Sequence, residues 1–359
     1  MSDDLEVRAM LAESAGRLFA DHVDAKVLDA AKEEGWSPAL WRVVEESQLH
    51  LVSIPEAAGG AGGAVSDLAA VLQLAGRHAA PVPLAETAML AGWMLAQSGL
   101  AIPAGPLTAA PVRGADSVCA GRAGGDWQLS GTLARVPFAR IADHIAVLAD
   151  GPDGAVVCCV ERARCAITPG LNLAREPRDD VKLDGVTVPG AMVAPAGAGV
   201  TRERLFERGA LARALTSAGA LEYALELACR YATERSQFGR RIGQFQAIQQ
   251  ELARAAGEVA AAVAAALSAA GVVDRGGNTL LAIAAAKMRT AQAALEVGMV
   301  AHQVHGAIGV TDEYALHHST LRLWAWRDEF GNEAHWSARL GDALLAGGAE
   351  GLWPVLSRE

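Results

Sequence analysis

Tyr231 to Gln250 reads YATERSQFGRRIGQFQAIQQ. Arg235 stands three residues before Phe238-Gly239. A basic pair, Arg240-Arg241, comes next, then Ile242, the run Gln244-Phe245-Gln246 and Ile248. A guanidinium fork matches phosphate oxygens. An aromatic ring packs on a flat apolar body, and side-chain amides hydrogen-bond to polar ring edges. The string therefore combines what a buried redox cofactor needs. A second string, Gln303-Val304-His305-Gly306-Ala307-Ile308-Gly309, follows in the same helical part of the chain. Any one such Arg, Phe or Gln taken singly is more often salt bridge or core. The weight lies in the two strings together.

The first string resembles the signature of the acyl-CoA dehydrogenase family, flavoenzymes that desaturate acyl thioesters. The second resembles the family's other flavin-contacting motif, and the order and rough separation are those of the family. The resemblance implies FAD as cofactor, with Arg235 on the pyrophosphate, Gln237 near the phosphates and Phe238 packed on the cofactor. Ile242, Phe245, Gln246 and Ile248 would line the adenine. Gln303 and the backbone at Gly306 and Ala307 would meet the pyrophosphate from a neighbouring subunit, where glycine lets the main chain approach closely. The resemblance also implies an acyl-CoA substrate, an electron-transferring flavoprotein as acceptor, and a homo- or hetero-oligomer (dimer or tetramer).

Three zones follow one another. Residues 1–104 read as a helical domain, with Leu11, Leu18, Phe19 and Val23 at near-helical spacing. The stretch Ser53 to Gly63 breaks it with Pro and Gly and resembles a family turn. Ser66 is expected to cap a helix running to His78. Residues 105–200 read as a small β-barrel or sandwich: Ile141–Ala149 and Ala155–Val160 are strand-like, separated by the turn at 150–154. Residues 201–359 read as a four-helix bundle, with Phe245, Ile248, Leu252, Ala255, Val259 and Val263 on one face and Asn278 or Thr279 capping the next helix. The fold class is α+β, mainly α, in the layout of the acyl-CoA dehydrogenases.

Two departures from the family pattern qualify the function. The Thr-Glu-Pro-x-x-Gly-Ser-Asp stretch of the middle domain is not found. The Lys-x-Trp-Ile-Thr-Asn stretch aligns with 131–139, where Arg135 replaces the Trp and Pro137 the Thr; proline has no N–H for a flavin edge. The chemistry also needs a carboxylate base with its pKa raised toward neutrality. One family position falls on Phe330 or Gly331, the other on Gly209. The remaining candidates are Glu329, by a shift of register, and Glu207. The coenzyme A arginine falls near Ala210, with Arg208 and Arg213 beside it. The leading reading is that a related partner chain supplies the base, as in bacterial members that pair two similar chains and act on bulky thioesters such as steroid side chains and rings. A non-catalytic subunit completing a partner's FAD site, and a flavin-dependent oxygenase, are the alternatives.

The chain has 359 residues, 52% of them hydrophobic, and a net charge of -10. No basic stripe with interleaved aromatics points to nucleic acid. The N-terminus MSDDLEVRAM lacks the layout of a signal peptide. Apolar runs are expected to be broken by Arg, Glu or Gly short of the roughly 18 residues of a membrane span. The five cysteines form no CxxC pair and read as reduced thiols of a cytoplasmic protein. His302, His305, His317 and His318 do not make a metal motif. The glycines of 59–63 lack phosphate-loop spacing, and no GxSxG elbow is present. Trp324, Trp326 and Trp336 read as packing, and Glu329 and Glu333, if not catalytic, as surface charges near Arg327 and Arg339.

Overall fold

The computed structural model describes residues 2–346 together with Gly348. The first helices are α1 (Ser2–His22), α2 (Ala25–Glu34), α3 (Pro38–Glu46) and α4 (Val65–Arg77). A fully buried π-helix, Glu86–Gly92, runs into the short α5 (Trp93–Gln97). The strands are β1 (Leu107–Ala110), β2 (Ser117–Ala123), β3 (Asp126–Pro137), β4 (His144–Gly151), β5 (Gly154–Glu161), β6 (Ala166–Thr168), β7 (Arg178–Val188) and β8 (Val193–Pro195). They form one sheet in the order β6-β7-β3-β2-β4-β5-β8, with β1 added on β4. Helix α6 (Arg202–Glu234) leads through a two-stranded hairpin, β9 (Ser236–Gln237) and β10 (Arg240–Arg241), into α7 (Gln246–Asp274). Then come α8 (Thr279–His305), α9 (Leu316–Asp328) and α10 (Glu333–Ala346). The expected helix, sheet and helix zones are present.

Local chemistry explains most boundaries. Asp24 caps α2, accepting from Val27 N at 2.9 Å, and Gly35 at φ 84° ends it. Ser37 caps α3, with Pro38 at its first position. Asn278 caps α8, accepting from Leu281 N at 3.3 Å. Ser66 does not cap α4. The N-cap is Ala64, and the free N–H groups are taken by carboxylates: Asp67 accepts from Ala64 N at 2.8 Å, and Asp274, from the far end of α7, accepts from Val65 N at 2.7 Å and Ser66 N at 3.0 Å. A cap delivered from 209 residues away leaves no local sequence signal.

Apolar alternation makes the sheet. Val118, Leu129, Leu133, Val147, Val160 and Val181 point into one core. Another core joins α1, α3, α4 and the π-helix to α6, α7 and α8, and a further one fills the bundle between α6, α7, α8 and α9. Alanine and glycine permit close helix approach. A Cβ at Gly219 would overlap the carbonyl oxygen of Gln73, and one at Gly76 that of Thr216, so α4 and α6 touch backbone to backbone. Helix α7 is long and apolar enough to cross a membrane by length and composition (mean hydropathy 1.8), which corrects the expectation of broken runs. It packs on α6 and α8, while only 28% of its most apolar window is buried within the chain.

The reciprocal glycines generate a paired expectation. Gly219→Ala forces α4 and α6 apart and costs about 1–3 kcal/mol. Gly257→Ala on α7, where a Cβ meets nothing, stabilises by about 0.5–1 kcal/mol. Urea unfolding of both variants checks the contrast.

Candidate functional site

The first motif is not helical throughout. Helix α6 stops at Glu234, and Arg235 opens a hairpin whose turn residues, Phe238 and Gly239, have φ 51° and 78°. Two successive positive φ values are those of a type I′ turn, and for a Phe they are strained. The turn throws the Phe238 ring into solvent, 91% exposed. Arg235 and Gln237 are also exposed. With its amide oxygen toward Arg235, Gln237 accepts from that guanidinium at 2.6 and 3.2 Å. Arg240 lies 4.1 Å above the ring of Phe245, the residue that caps α7. Gln246 is exposed, whereas Ile242 and Ile248 are half-buried against the bundle core.

The second motif lies at the same end of the bundle. The Tyr231 ring, one turn before Arg235, packs on His305 with centroids 4.6 Å apart. His305 is buried; its Nε2 lies 3.1 Å from the Tyr314 hydroxyl. Gln303, Gly306 and Ala307 are exposed. Gly306 ends α8 at φ 64°, and a Cβ there would meet open space, so another molecule can approach this backbone. The structure thus brings together the residues expected at the dinucleotide end, all near the surface. They fit that end of the cofactor as an outward-facing half-site.

The ring end differs. A cavity of about 460 Å³ opens between the sheet and α9, lined among others by Arg135, Pro137, Arg178, Trp324, Glu329 and Phe330. Pro137 pairs with Arg178 in the β3–β7 ladder and turns no N–H toward the cavity. Phe330 has φ 53°, and Trp336 Nε1 donates to its carbonyl at 2.9 Å. Its ring is only 6% exposed and fills the place that a side chain on Gly209 would take. The two positions at which the resemblance places a base therefore meet, and an aromatic ring against a bare glycine occupies the spot.

Glu329 is not the surface charge of the simple reading. It accepts from Arg178 Nε at 2.7 Å and Nη2 at 3.0 Å, from Arg213 Nε at 2.6 Å and from Asn172 Nδ2 at 3.0 Å. Arg213 also donates to Glu86 at 2.6 Å, and Arg178 to Glu176 at 2.9 Å. Glu176 further accepts from Trp326 Nε1 at 2.9 Å and pairs with Arg322 at 3.3 Å. Three carboxylates (Glu86, Glu176, Glu329) thus face three guanidiniums (Arg178, Arg213, Arg322), drawn from all three zones. Although burial alone would raise it, the arginines pull the Glu329 carboxyl down to about 2. A general base needs the opposite shift. Glu333, by contrast, does pair with Arg327, at 2.7 Å.

The other candidates are likewise engaged. Glu207 is buried and accepts from Arg204 at 2.9 Å, in the wall of a separate depression with Thr279. Arg213 is spent on Glu86 and Glu329. Arg208 is half-buried, donates to the Met89 carbonyl at 2.8 Å on the π-helix, and lies 4.6 Å over the Trp93 ring; burial lowers its pKa. Beside the ion cluster, a void lined by Glu86, Arg213 and Thr216 measures about 30 Å³, which holds a water or two and no acyl chain. Trp326 and Trp336 are buried packing residues, as expected, and Trp324 borders the cavity. Among the described residues no cluster of His, Cys, Asp or Glu could hold a metal. Sequence reasoning missed Glu86, Asn172, Glu176, Arg178 and Lys287. Lys287 is buried and donates to the carbonyls of Trp326 and Arg327 at 2.9 and 2.7 Å, closing the end of α9.

Models of the acyl-CoA dehydrogenase N-terminal and C-terminal domains match residues 6–101 and 196–327. The chain belongs to the acyl-CoA dehydrogenase family. This is a family of FAD-dependent oxidoreductases. The acyl-CoA dehydrogenase IpdE2 of Mycolicibacterium smegmatis is 29% identical over 316 residues, covering 87% of this chain and 90% of the relative. The Tcur3481–Tcur3483 steroid ACAD superposes with a TM-score of 0.86 at 30% identity, covering 96% of this chain and 99% of that one. The ChsE4–ChsE5 complex of Mycobacterium tuberculosis gives 0.81 at 26%, covering 93% and 97%. The family member described here presents a guanidinium, an amide and an open glycine backbone of the kind the dinucleotide end of FAD requires, and a proline without an N–H beside the cavity.

The ion cluster makes acid stability testable. The depressed Glu329 carboxyl contributes stability in full above its ordinary value of 4.5, and the contribution is lost as the pH falls through about 2. Glu329→Gln is expected to flatten the loss of stability between those limits. Glu329→Ala, which strands Arg178 and Arg213, costs about 3–5 kcal/mol at neutral pH. Denaturant midpoints across the pH range read both.

Proposed function

We propose that this chain is one subunit of a hetero-oligomeric acyl-CoA dehydrogenase. Its hairpin and the end of α8 complete the dinucleotide end of a FAD site whose ring pocket and base belong to a related partner chain. The observation that carries the reading is the Phe330 ring seated on Gly209, which leaves neither base position with a proton acceptor. Glu329 does not substitute, because four donated hydrogen bonds and two guanidiniums hold it ionised. Bound FAD supplies the hydride acceptor for desaturation of the thioester. The residues of this chain do the rest of their work on binding: Arg235 neutralises the pyrophosphate, Gln237 orients the guanidinium, Phe238 covers an apolar face, and Gly306 admits the cofactor to backbone contact.

A partner surface supports the same reading. Leu267 on α7 and Leu295 and Met299 on α8 are exposed at 39%, 38% and 58%, and Phe238 and Val310 are exposed in the two motif regions. The most apolar window of α7 is left largely uncovered within the chain, which suits a face that a second subunit covers. The names of the relatives favour a bulky acyl-CoA of steroid type as the substrate class, and a partner that is itself a family member. An electron-transferring flavoprotein is the electron acceptor that the resemblance implies.

Co-expression with a homologous chain tests the assignment. We expect the chain alone to purify colourless, and the complex to be yellow with half as many flavins as chains. A yellow homo-oligomer that bleaches on addition of an acyl-CoA would overturn the reading. Within the complex, Arg235→Ala removes a charge-assisted contact worth about 1.5–3 kcal/mol, so flavin dissociation is expected to strengthen by about 10- to 100-fold, read by fluorescence of released FAD.

A further inference from the structure

We infer that the 460 Å³ cavity between the sheet and α9 binds an organic anion with a flat apolar body, a carboxylate or a phosphate ester, through Arg113 and Arg135. The inference rests on the reading above, in which the flavin ring belongs to the partner's pocket, and it gives this chain's own cavity a different occupant. The volume lies in the range of small-molecule sites, about 300–1,000 Å³.

Charge points to an anion. Five charged residues line the cavity: Arg113, Arg135, Arg178, Asp328 and Glu329. Arg178 and Glu329 are spent on one another at 2.7 Å. Arg113 and Arg135 make no ion pair among the described residues, which leaves two guanidiniums against Asp328, in a chain whose net charge is -10. A pair of guanidiniums facing a cavity suits carboxylate and phosphate oxygens.

The backbone under Arg135 is built for its position. The β3–β7 register shifts between Leu133 and Val136, and Arg135 sits in the resulting bulge at φ 56°. Bulges re-aim side chains, and a left-handed arginine persists only where its surroundings hold it. Two carboxylates do so: Asp116 accepts from Ala134 N at 3.0 Å and Asp180 from Arg135 N at 2.9 Å. Both acids are spent on the main chain, and the guanidinium keeps its charge for something else. Flat walls complete the site. Trp324 stacks on His302 with centroids 5.5 Å apart, and Phe330 is fixed from behind by Trp336.

The test titrates 2-naphthoate, with 2-naphthamide as the neutral control, into the co-expressed complex by calorimetry, while absorbance counts its flavin. We expect one naphthoate per copy of this chain, at least about tenfold tighter than the amide, and weakened by salt. Arg135→Gln and Arg113→Gln, both at exposed positions, should each cut affinity about tenfold with an unchanged melting temperature. No naphthoate binding, equal affinity for acid and amide, or affinity indifferent to Arg135→Gln overturns the inference. If that happens with half as many flavins as chains, the subunit reading stands. As many flavins as chains overturns the subunit reading instead, and the anion site with it, because the cavity then holds the ring.

Discussion

The buried cluster of Glu86, Glu176, Glu329, Arg178, Arg213 and Arg322 is the constraint on which the rest depends. Each charge alone would be prohibitive in an interior of this kind. Together they neutralise one another; hydrogen bonds join all but Arg322, whose Nε approaches Glu176 at 3.3 Å as an ion pair while its Nη1 donates to the His318 carbonyl. The π-helix supplies Glu86, the approach to β7 supplies Glu176 and Arg178, and the helices supply Arg213, Arg322 and Glu329. No zone can bury its own share without the other two. The cluster therefore fixes how the sheet sits on the bundle, and replacing one member strands the others.

That placement has a direct consequence for chemistry. Glu329 is pinned by two arginines, so the next residue, Phe330, is delivered to the notch at Gly209. Trp336 holds its carbonyl and the Arg213 guanidinium lies 5.6 Å from its ring. Glu329 is a carboxylate of the wrong basicity for a base, and Phe330 fills the notch at Gly209 with no carboxylate. Lys287 belongs to the same arrangement. Burial lowers its pKa to about 7 while two helix-terminal carbonyls hold it. The inward half of the site is thus organised for rigidity.

The outward half is organised differently. The α6–α7 connection is a hairpin because Phe238-Gly239 turns the chain, and the turn displays Arg235, Gln237 and Phe238 where only a second molecule can cover them. Tyr231 against His305 keeps this hairpin beside the end of α8, so two motifs far apart in the chain act at one place. An exposed aromatic, an exposed arginine and the apolar flank of α7 are costly on an isolated surface and reasonable at an interface.

Periodicity and punctuation were enough to read the zones. The strands β4 and β5 and the turn between them, the helical face from Ile248 to Val263 and the cap at Asn278 depend on neighbours within a few residues, although β4 begins at His144 and not at Ile141, and Phe245 precedes α7 as its N-cap. The family resemblance was legible too, because Arg235 before Phe238-Gly239 is a local pattern. What the sequence could not reveal depends on partners far along the chain. Asp274 capping α4 acts across 209 residues and Arg178 gripping Glu329 across 151. Glu329 read as a surface acid or a possible base, since nothing adjacent announces two arginines from other zones. The sequence by itself thus determined the elements and the family chemistry that they carry. Only the tertiary structure decided the ionisation of Glu329 and the seating of Phe330 against Gly209, because electrostatic energy and packing depend on distance in space and not on separation along the chain.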